Sequence, residues 1–272
     1  MIKRILNYIL REFDKITNKQ KGYTYVFFFN FLNLLFLKKQ KIFLKDNSFY
    51  LKSNKKNEIF WKFHQTKQGT MAYRDGLVER KNILKKVYLL KNIVFEENDI
   101  IIDCGANNGD FYLCFDKNIN YIGIEPSPNV FKNLKHNVHN QKLINKAAWH
   151  TDKKIHDFYV SDNFGDSSMI EISNFTKKIQ VETCTLDNII SKENKIKLIK
   201  VDAEGAEPEV LFGLKENIEK VEYIVVDLGF ERGIDQKSTL KKCVNYLLKN
   251  KFEIIDFRLE RLVFMFKNIS FV

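Results

Sequence analysis

Cysteine is scarce in this sequence and nowhere paired: Cys104, Cys114, Cys184 and Cys243 form no Cys-x-x-Cys motif. That excludes a disulfide-built scaffold and a thiolate zinc site, and leaves the four as small buried hydrophobes of a reducing compartment. Long apolar runs are missing too. The strongest, Val26 to Leu37, has 12 residues with Asn30 and Asn33 inside it, well short of the roughly 20 that span a bilayer as a helix. No small-residue cleavage site follows the first basic segment, so a secretory leader is not expected. Histidines do not cluster: His136 and His139 lie three apart on a predicted helix without further ligands, which reads as a solvated face and no metal site. Only three prolines occur, against abundant Lys, Asn, Ile and Phe, a bias of base composition more than of function. Internal repeats, and with them solenoid architectures, are absent.

What is present begins with enough apolar residues, 44% of 272, to pack a core. The net charge of +11 is unevenly placed. Residues 1–95 carry 21 Lys/Arg against 6 Asp/Glu, whereas residues 96–272 carry 24 against 28. The chain therefore divides into a basic N-terminal extension, 1–95, and a near-neutral domain, 96–272. A basic extension suggests an anionic partner (membrane surface, acidic glycan or nucleic acid) or simply a lysine-rich solvated surface. Its first 17 residues form a basic amphipathic helix, with Ile2, Ile5, Leu6, Ile9, Leu10, Phe13 and Ile16 at 3-4 spacing. Val26–Leu37 is expected to pack on the protein, the alternative being a helix in a membrane interface. A hairpin follows at 41–52, then helices at 58–65 and 78–90.

The organising stretch is 98–125. Asp99-Ile100-Ile101-Ile102-Asp103 reads as a buried parallel strand. Cys104-Gly105-Ala106-Asn107-Asn108-Gly109-Asp110 is a turn with two glycines four apart, followed by a helix-like segment, 111–117. A second strand, Asn120 to Ile124, ends on Glu125. Strand, glycine turn, helix, strand and terminal acid describe a nucleotide-binding βαβ unit. A dinucleotide pyrophosphate calls for Gly-x-Gly-x-x-Gly; here the spacing is Asp-x-Gly-x-x-x-Gly. An acid two residues before the first glycine disfavours a pyrophosphate and suits a ligand with a cationic sulfonium and a free amine, which describes S-adenosylmethionine.

Beyond 125 the alternation stays regular. Helix 127–140 has Ser127 as a cap and Pro128 at its first position. Strand 143–149 follows, then short extended pieces at 155–160, 168–172 and 179–185, and a helix at 186–191. Strand 196–201 ends at Asp202, followed by helix 205–217, strand 222–227, helix 237–249 and a closing pair, 252–257 and 261–266. A short turn joins that pair, so the last strand runs antiparallel. The expected fold class is α/β: a seven-stranded Rossmann-like class I methyltransferase sheet, last strand antiparallel, with a basic α+β extension.

Three blocks carry a resemblance: Ile102-Asp103-Cys104-Gly105-Ala106-Asn107-Asn108-Gly109, Ile122-Gly123-Ile124-Glu125-Pro126-Ser127-Pro128, and Ile199-Lys200-Val201-Asp202-Ala203-Glu204-Gly205-Ala206-Glu207. With a weaker block at Asn145-Lys146-Ala147-Ala148-Trp149, they resemble the FkbM family of S-adenosylmethionine-dependent methyltransferases over residues 95–230. Cys104 departs from the aliphatic residue usual in the family, and Asp227 stands where a glutamate tends to occur near the end of strand five.

The resemblance implies methylation of a hydroxyl oxygen on a sugar, glycan or secondary metabolite. It also implies roles. Gly105, Ala106, Asn107 and Gly109 would line the methionine part of the donor, Asp103 would help hold its amine, Glu125 with Pro126 would take the ribose, and Ala147 and Ala148 would lie along the adenine. Asp202 or Glu204 would be the general base, with Lys200 neutralising or positioning the carboxylates; Glu207 reads as a first-turn acid favoured by the helix dipole. No metal constellation appears, so metal-independent transfer is expected. The expected location is cytoplasmic, with peripheral contact at the inner face of an anionic membrane left open. Two other readings compete: an RNA methyltransferase using the basic extension, and a membrane-associated non-catalytic nucleotide-binding module. Against RNA, the aromatics of the extension fall in apolar runs and are not interleaved with basic residues. An NAD enzyme is disfavoured by the glycine spacing.

Overall fold

The protein is described from a computed structural model over residues 2–52, 60–162 and 166–271, with side chains from Tyr8 onward. It divides into two compact units, Met1–Asn82 and Ile83–Val272. The sequence places the boundary at 95; in the structure Leu84, Val87, Tyr88, Leu89, Leu90 and Ile93 join the apolar core of the second unit, so the division falls earlier.

The first unit contains α1 (Ile2–Thr17), α2 (Gly22–Leu35), the antiparallel strands β1 (Lys41–Lys45), β2 (Ser48–Lys52) and β3 (Phe60–Phe63), and a short α3 (Thr66–Gln68). Its core gathers Tyr25, Phe29, Leu32, Ile42, Phe49, Leu51, Trp61, Phe63 and Tyr73. The two asparagines inside the apolar run are explained by β1. Asn30 exchanges two hydrogen bonds with the Ile42 backbone, and Asn33 Nδ2 donates to the Gln40 carbonyl. One sequence expectation fails here. The helix assigned to 58–65 is strand β3 from Phe60, with Phe49 opposite Phe63 and Leu51 opposite Trp61; residues 58 and 59 lie outside the described residues. Trp61 and Phe63 alternate inward with a period of two, which a helix could not bury on one face.

The second unit begins within α4 (Leu77–Val87) and is built on β4 (Ile100–Cys104), β5 (Asn120–Ile124), β6 (Lys142–Ile144), β10 (Ile196–Val201), β11 (Val221–Asp227), β12 (Phe252–Arg258) and β13 (Val263–Asn268). Their order across the sheet is β12-β13-β11-β10-β4-β5-β6, and β13 runs against the other six. This is the expected Rossmann-like layout. Successive residues alternate between two apolar layers: Ile102, Ile199 and Val226 enter one, Ile101, Leu198 and Val225 the other. Burial on both faces is why these strands read as unbroken apolar runs. Helices α5 (Pro128–Asn137), α6 (Leu186–Ile190), α7 (Glu207–Phe212) and α8 (Leu240–Lys249) accompany the sheet, and β7 (Ala147–Ala148), β8 (Ile155–Val160) and β9 (Lys177–Cys184) form a smaller one.

Four elements depart locally from expectation. The helix expected at 111–117 is a single 3-10 turn, Asp110–Cys114. The third strand breaks after Ile144 because Asn145 turns aside to donate to the Glu125 and Pro126 carbonyls, and Ala147–Ala148 then pairs with β9. The expected helix 205–217 contracts to Glu207–Phe212. It stops at Gly213, where a Cβ would lie 2.1 Å from the Trp149 carbonyl, and the amides of Lys215, Glu216 and Asn217 bind Asp187 instead. The extended piece at 168–172 is reduced to one bridge, Tyr159 to Ser168. All four cysteines are buried and free.

Candidate active site

Strand register decides which residues meet. Cys104 is level with Ile124 on one side and Val201 on the other, and Val201 is level with Val226. The next positions, Gly105, Glu125, Asp202 and Asp227, therefore emerge together at the carboxyl edge of the parallel strands, where open α/β sheets bind ligands.

The glycine turn is held from several directions. The amides of Gly105 and Ala106 donate to the Ile124 carbonyl, and Gly109 donates back to Ala106. Gly105 is left-handed at φ +77°, and a Cβ there would sit 1.9 Å from the Asp202 carbonyl oxygen. Any side chain would push the turn off β10, so the requirement for glycine comes first from the protein's own packing. Gly109 is also left-handed, at φ +92°, and a Cβ there would sit 2.5 and 3.1 Å from the Val138 and Leu134 side chains. Glu125 closes the turn: Oε2 accepts the Asn107 amide at 3.0 Å and Oε1 the Ser127 amide at 2.8 Å. Ser127 stands at the cap position of α5 as expected, but its side chain makes no capping bond there. Burial lifts the Glu125 pKa to about 7, against the two amide hydrogen bonds, which lower it. Pro126 is half-buried beside it, Ala147 is buried, and Ala148 is half-buried at the edge of the main core.

Asp103 and Lys200 form a buried pair beneath this turn. Lys200 Nζ lies 2.8 Å from Asp103 Oδ1 and donates to the Cys104 and Gly105 carbonyls at 3.3 and 3.2 Å. The second Asp103 oxygen accepts the Tyr121 hydroxyl. Asp103 is fully enclosed, so in this structure it supports the turn through Lys200 and does not line an open surface. Burial opposes the Lys200 charge, yet Asp103 and Asp202 outweigh it and hold its pKa above the ordinary lysine value. Burial raises Asp103, offset in part by Lys200 and Tyr121.

Four carboxylates gather after β10 and β11. Asp202 Oδ2 accepts the buried Tyr88 hydroxyl and stands 3.8 Å from Lys200 Nζ, while its Oδ1 is buried with no hydrogen-bond partner. Carboxylate oxygens of Asp202, Asp227 and Glu231 lie within 4.8 Å of one another. Asp227 is paired with Arg261 at 2.8 Å; Glu231 Oε2, like Asp202 Oδ1, is buried and unpartnered. Glu204 takes a left-handed backbone at φ +50°, and its carbonyl accepts Ser168 Oγ at 2.7 Å. Burial, then the charges of Asp202, Glu231 and Glu207, hold the Glu204 pKa well above the usual range. Burial, followed by Asp202 and Asp227, lifts Glu231 to about 9. Asp227 rises to about 6, with burial the larger cause and Asp202 next, against Arg261. Glu207 accepts the amides of Ala203 and Gly205, the capping position its place in the sequence suggests.

The structure thus brings the sequence candidates into two adjoining groups: the turn with Asp103, Lys200 and Glu125, and the acids Asp202 and Glu204. Sequence reasoning missed Tyr88, Tyr121, Glu231 and Arg261. Tyr88 and Arg261 lie outside the motif blocks. Glu231 follows β11 by four residues, and its one signal was the acid usual near that strand's end.

Comparison with known proteins bears on this arrangement. A family described as "Methyltransferase FkbM domain" matches residues 103–263. The chain belongs to the FkbM methyltransferase family. Its cofactor is S-adenosylmethionine. The chain is similar, at 27% identity over 157 residues, to the hexuronic acid methyltransferase AglP of Haloferax volcanii, with 54% of this FkbM chain and 62% of that protein covered. It therefore spans under two thirds of that relative's length. Solved structures similar to this FkbM chain include the precorrin 8W decarboxylase of Methanobacterium thermoautotrophicum, at 12% identity and a TM-score of 0.40, covering 70% of this chain and 90% of that one. Another is Aeropyrum pernix fibrillarin with natively bound S-adenosyl-L-methionine, at 13% identity and 0.39, covering 84% and 81%. Neither of these two bears on the acceptor.

Proposed function

We propose that this protein transfers a methyl group from S-adenosylmethionine to a hydroxyl oxygen of a sugar or glycan, a uronic acid being the first acceptor to test. The observation that carries the reading is the carboxylate of Asp202 at the carboxyl edge of the sheet. One of its oxygens is fixed by Tyr88, and the other is buried without a partner beside the glycine turn. The similarity to a hexuronic acid methyltransferase supports the acceptor class.

The donor's sulfonium supplies an electrophilic methyl group when bound. The chain's own part is to align the acceptor and take up its proton. A sugar hydroxyl is a weak nucleophile, so a base within hydrogen-bond reach contributes about 10²–10⁴-fold. Asp202 Oδ1 is assigned that role. Lys200, 3.8 Å from the other oxygen, and the Tyr88 hydroxyl hold Asp202 in place. Glu204 and Glu231, held towards their neutral forms by burial and by neighbouring acids, are suited to donate hydrogen bonds to acceptor oxygens. Glu125 takes the ribose hydroxyls, and the turn Gly105–Gly109 the methionine portion. Asp103 acts on the donor through Lys200 and the turn.

The test is incubation with S-adenosylmethionine and matched glycosides of a uronic acid and of a neutral hexose, followed by mass spectrometry for a gain of one methylene. Methylation of the uronic carboxylate to a methyl ester in place of a hydroxyl, or of neither glycoside by protein that binds S-adenosylhomocysteine, would overturn the acceptor assignment.

A further inference from the structure

The first unit exposes apolar surface that its own core does not use. Helix α2 carries no charged residue. One face, Tyr25, Phe29, Leu32 and Asn33, is buried, and Asn30 and Asn33 tie that side to the backbone at Ile42 and Gln40. The opposite face runs Tyr23, Phe27, Phe31, Leu34 and Leu35 at 3-4 spacing, and these side chains are 50–76% exposed. Phe27 and Phe31 stack on each other at 6.0 Å along it. Helix α1 repeats the pattern on a smaller scale, with Ile9, Phe13 and Ile16 exposed while Leu10 and Thr17 are buried. A single exposed leucine needs no explanation; a contiguous aromatic and aliphatic row on a helix whose other side is already packed marks an interaction surface.

Charge identifies the occupant. Residues 1–41 carry nine Lys/Arg against two Asp/Glu, a net of +7, and the whole unit, residues 1–82, carries 18 against 6. The charged residues flank the apolar row and do not interrupt it: Lys19 and Lys21 precede α2, and Lys38, Lys39 and Lys41 follow it. A second copy of the chain seated on this face would bring two strongly positive units together. A bilayer with anionic headgroups offers the complement to both features: an apolar layer for the aromatic row and negative charge for the lysines at each end. Among the described residues no helix is long and apolar enough to cross a membrane, and an interfacial helix has no need to be.

We infer that the exposed faces of α1 and α2 form a docking surface for an anionic lipid bilayer, on which the protein sits peripherally. The inference stands apart from the identity of the methyl acceptor.

The experiment uses the full chain and sedimentation of vesicles of phosphatidylcholine alone or with phosphatidylglycerol, at low salt and at about 0.5 M, where charges are screened beyond a few ångströms. The parent protein should partition onto the anionic vesicles at least about tenfold better than onto the zwitterionic ones, and salt should erase most of that preference. The variant Phe27→Glu/Phe31→Glu/Leu34→Glu should lose about tenfold or more in partitioning while still binding S-adenosylhomocysteine. Phe31→Trp supplies a readout with no added charge: the emission of the introduced indole should shift to shorter wavelength on anionic vesicles. Failure of the parent to bind anionic vesicles, equal binding by the triple variant, or an unshifted emission from the Phe31→Trp variant would overturn the inference. So would a parent dimer in solution that the triple variant abolishes, which would assign the face to a second copy.

Discussion

Lys200→Met is the most direct probe of how the site is held. The substitution keeps a flexible side chain of similar length but removes the three hydrogen bonds that Nζ makes, to Asp103 and to the carbonyls of Cys104 and Gly105. Asp103 is then a fully enclosed carboxylate with only the Tyr121 hydroxyl as partner. Breaking one side of a buried ion pair costs about 3–5 kcal/mol, most of it the uncompensated charge. In a unit the size of Ile83–Val272 each kcal/mol moves the melting temperature by about 2–4 °C, so a drop of about 6–20 °C is expected. The double variant Asp103→Asn/Lys200→Met should recover part of this, with a coupling energy of about 1–3 kcal/mol in the cycle. The sign with pH follows from Asp103. Without Lys200 its folded-state pKa rises further above the unfolded value of about 3.9, so the folded state holds a proton that the unfolded state has released. Stability of the variant then falls as pH rises through the folded pKa and is regained on acidification, by up to about 1.4 kcal/mol per pH unit. Denaturant titrations of parent, single and double variants across pH 5 to 8, with S-adenosylhomocysteine calorimetry on each, would check this. A Lys200→Met loss under about 1 kcal/mol with unchanged ligand affinity would refute the claim that this ion pair supports the turn.

Other expectations follow from the same geometry. Gly105→Ala places a Cβ 1.9 Å from a backbone oxygen in a left-handed conformation, so it should destabilise by about 2–4 kcal/mol and weaken S-adenosylhomocysteine binding together; thermal melts and calorimetry measure both. Glu125→Gln should lower S-adenosylhomocysteine affinity at pH 8. In the parent, affinity should fall as pH drops below about 7, the value to which burial lifts Glu125, because the protonated acid loses acceptor capacity; a flat pH profile for the parent would count against its ribose role. Asp202→Asn should reduce kcat by about 10²–10⁴ at saturating donor with binding retained, whereas Tyr88→Phe, which only orients Asp202, should cost less and shift the pH–rate profile. Equal turnover by Asp202→Asn and parent would move the base assignment to Glu204 or Glu231.

Much of the fold was readable because it rests on local rules. Strands buried on both faces show as apolar runs, and the register of such runs places their end residues, Gly105, Glu125, Asp202 and Asp227, at one edge. The misreadings share a cause. At 60–63 a short aromatic segment carries too few residues to separate a period of two from a helical one, and β2 alone decided it. At 205–217 helix-forming residues were overruled by the Trp149 carbonyl at Gly213 and by Asp187 taking the following amides.

The sequence by itself determined the fold class, the cofactor and the positions of the glycine turn and its acids, because each depends on residue types at fixed local spacing. It also determined that the first 41 residues are basic and apolar at once. Only the tertiary structure decided that Asp103 is spent on Lys200, that Tyr88 grips Asp202, that Glu231 and Arg261 join the acid group, and which face of α2 stays uncovered. Those are long-range pairings, set by how strands and loops distant in the chain pack side by side, and no local periodicity encodes them.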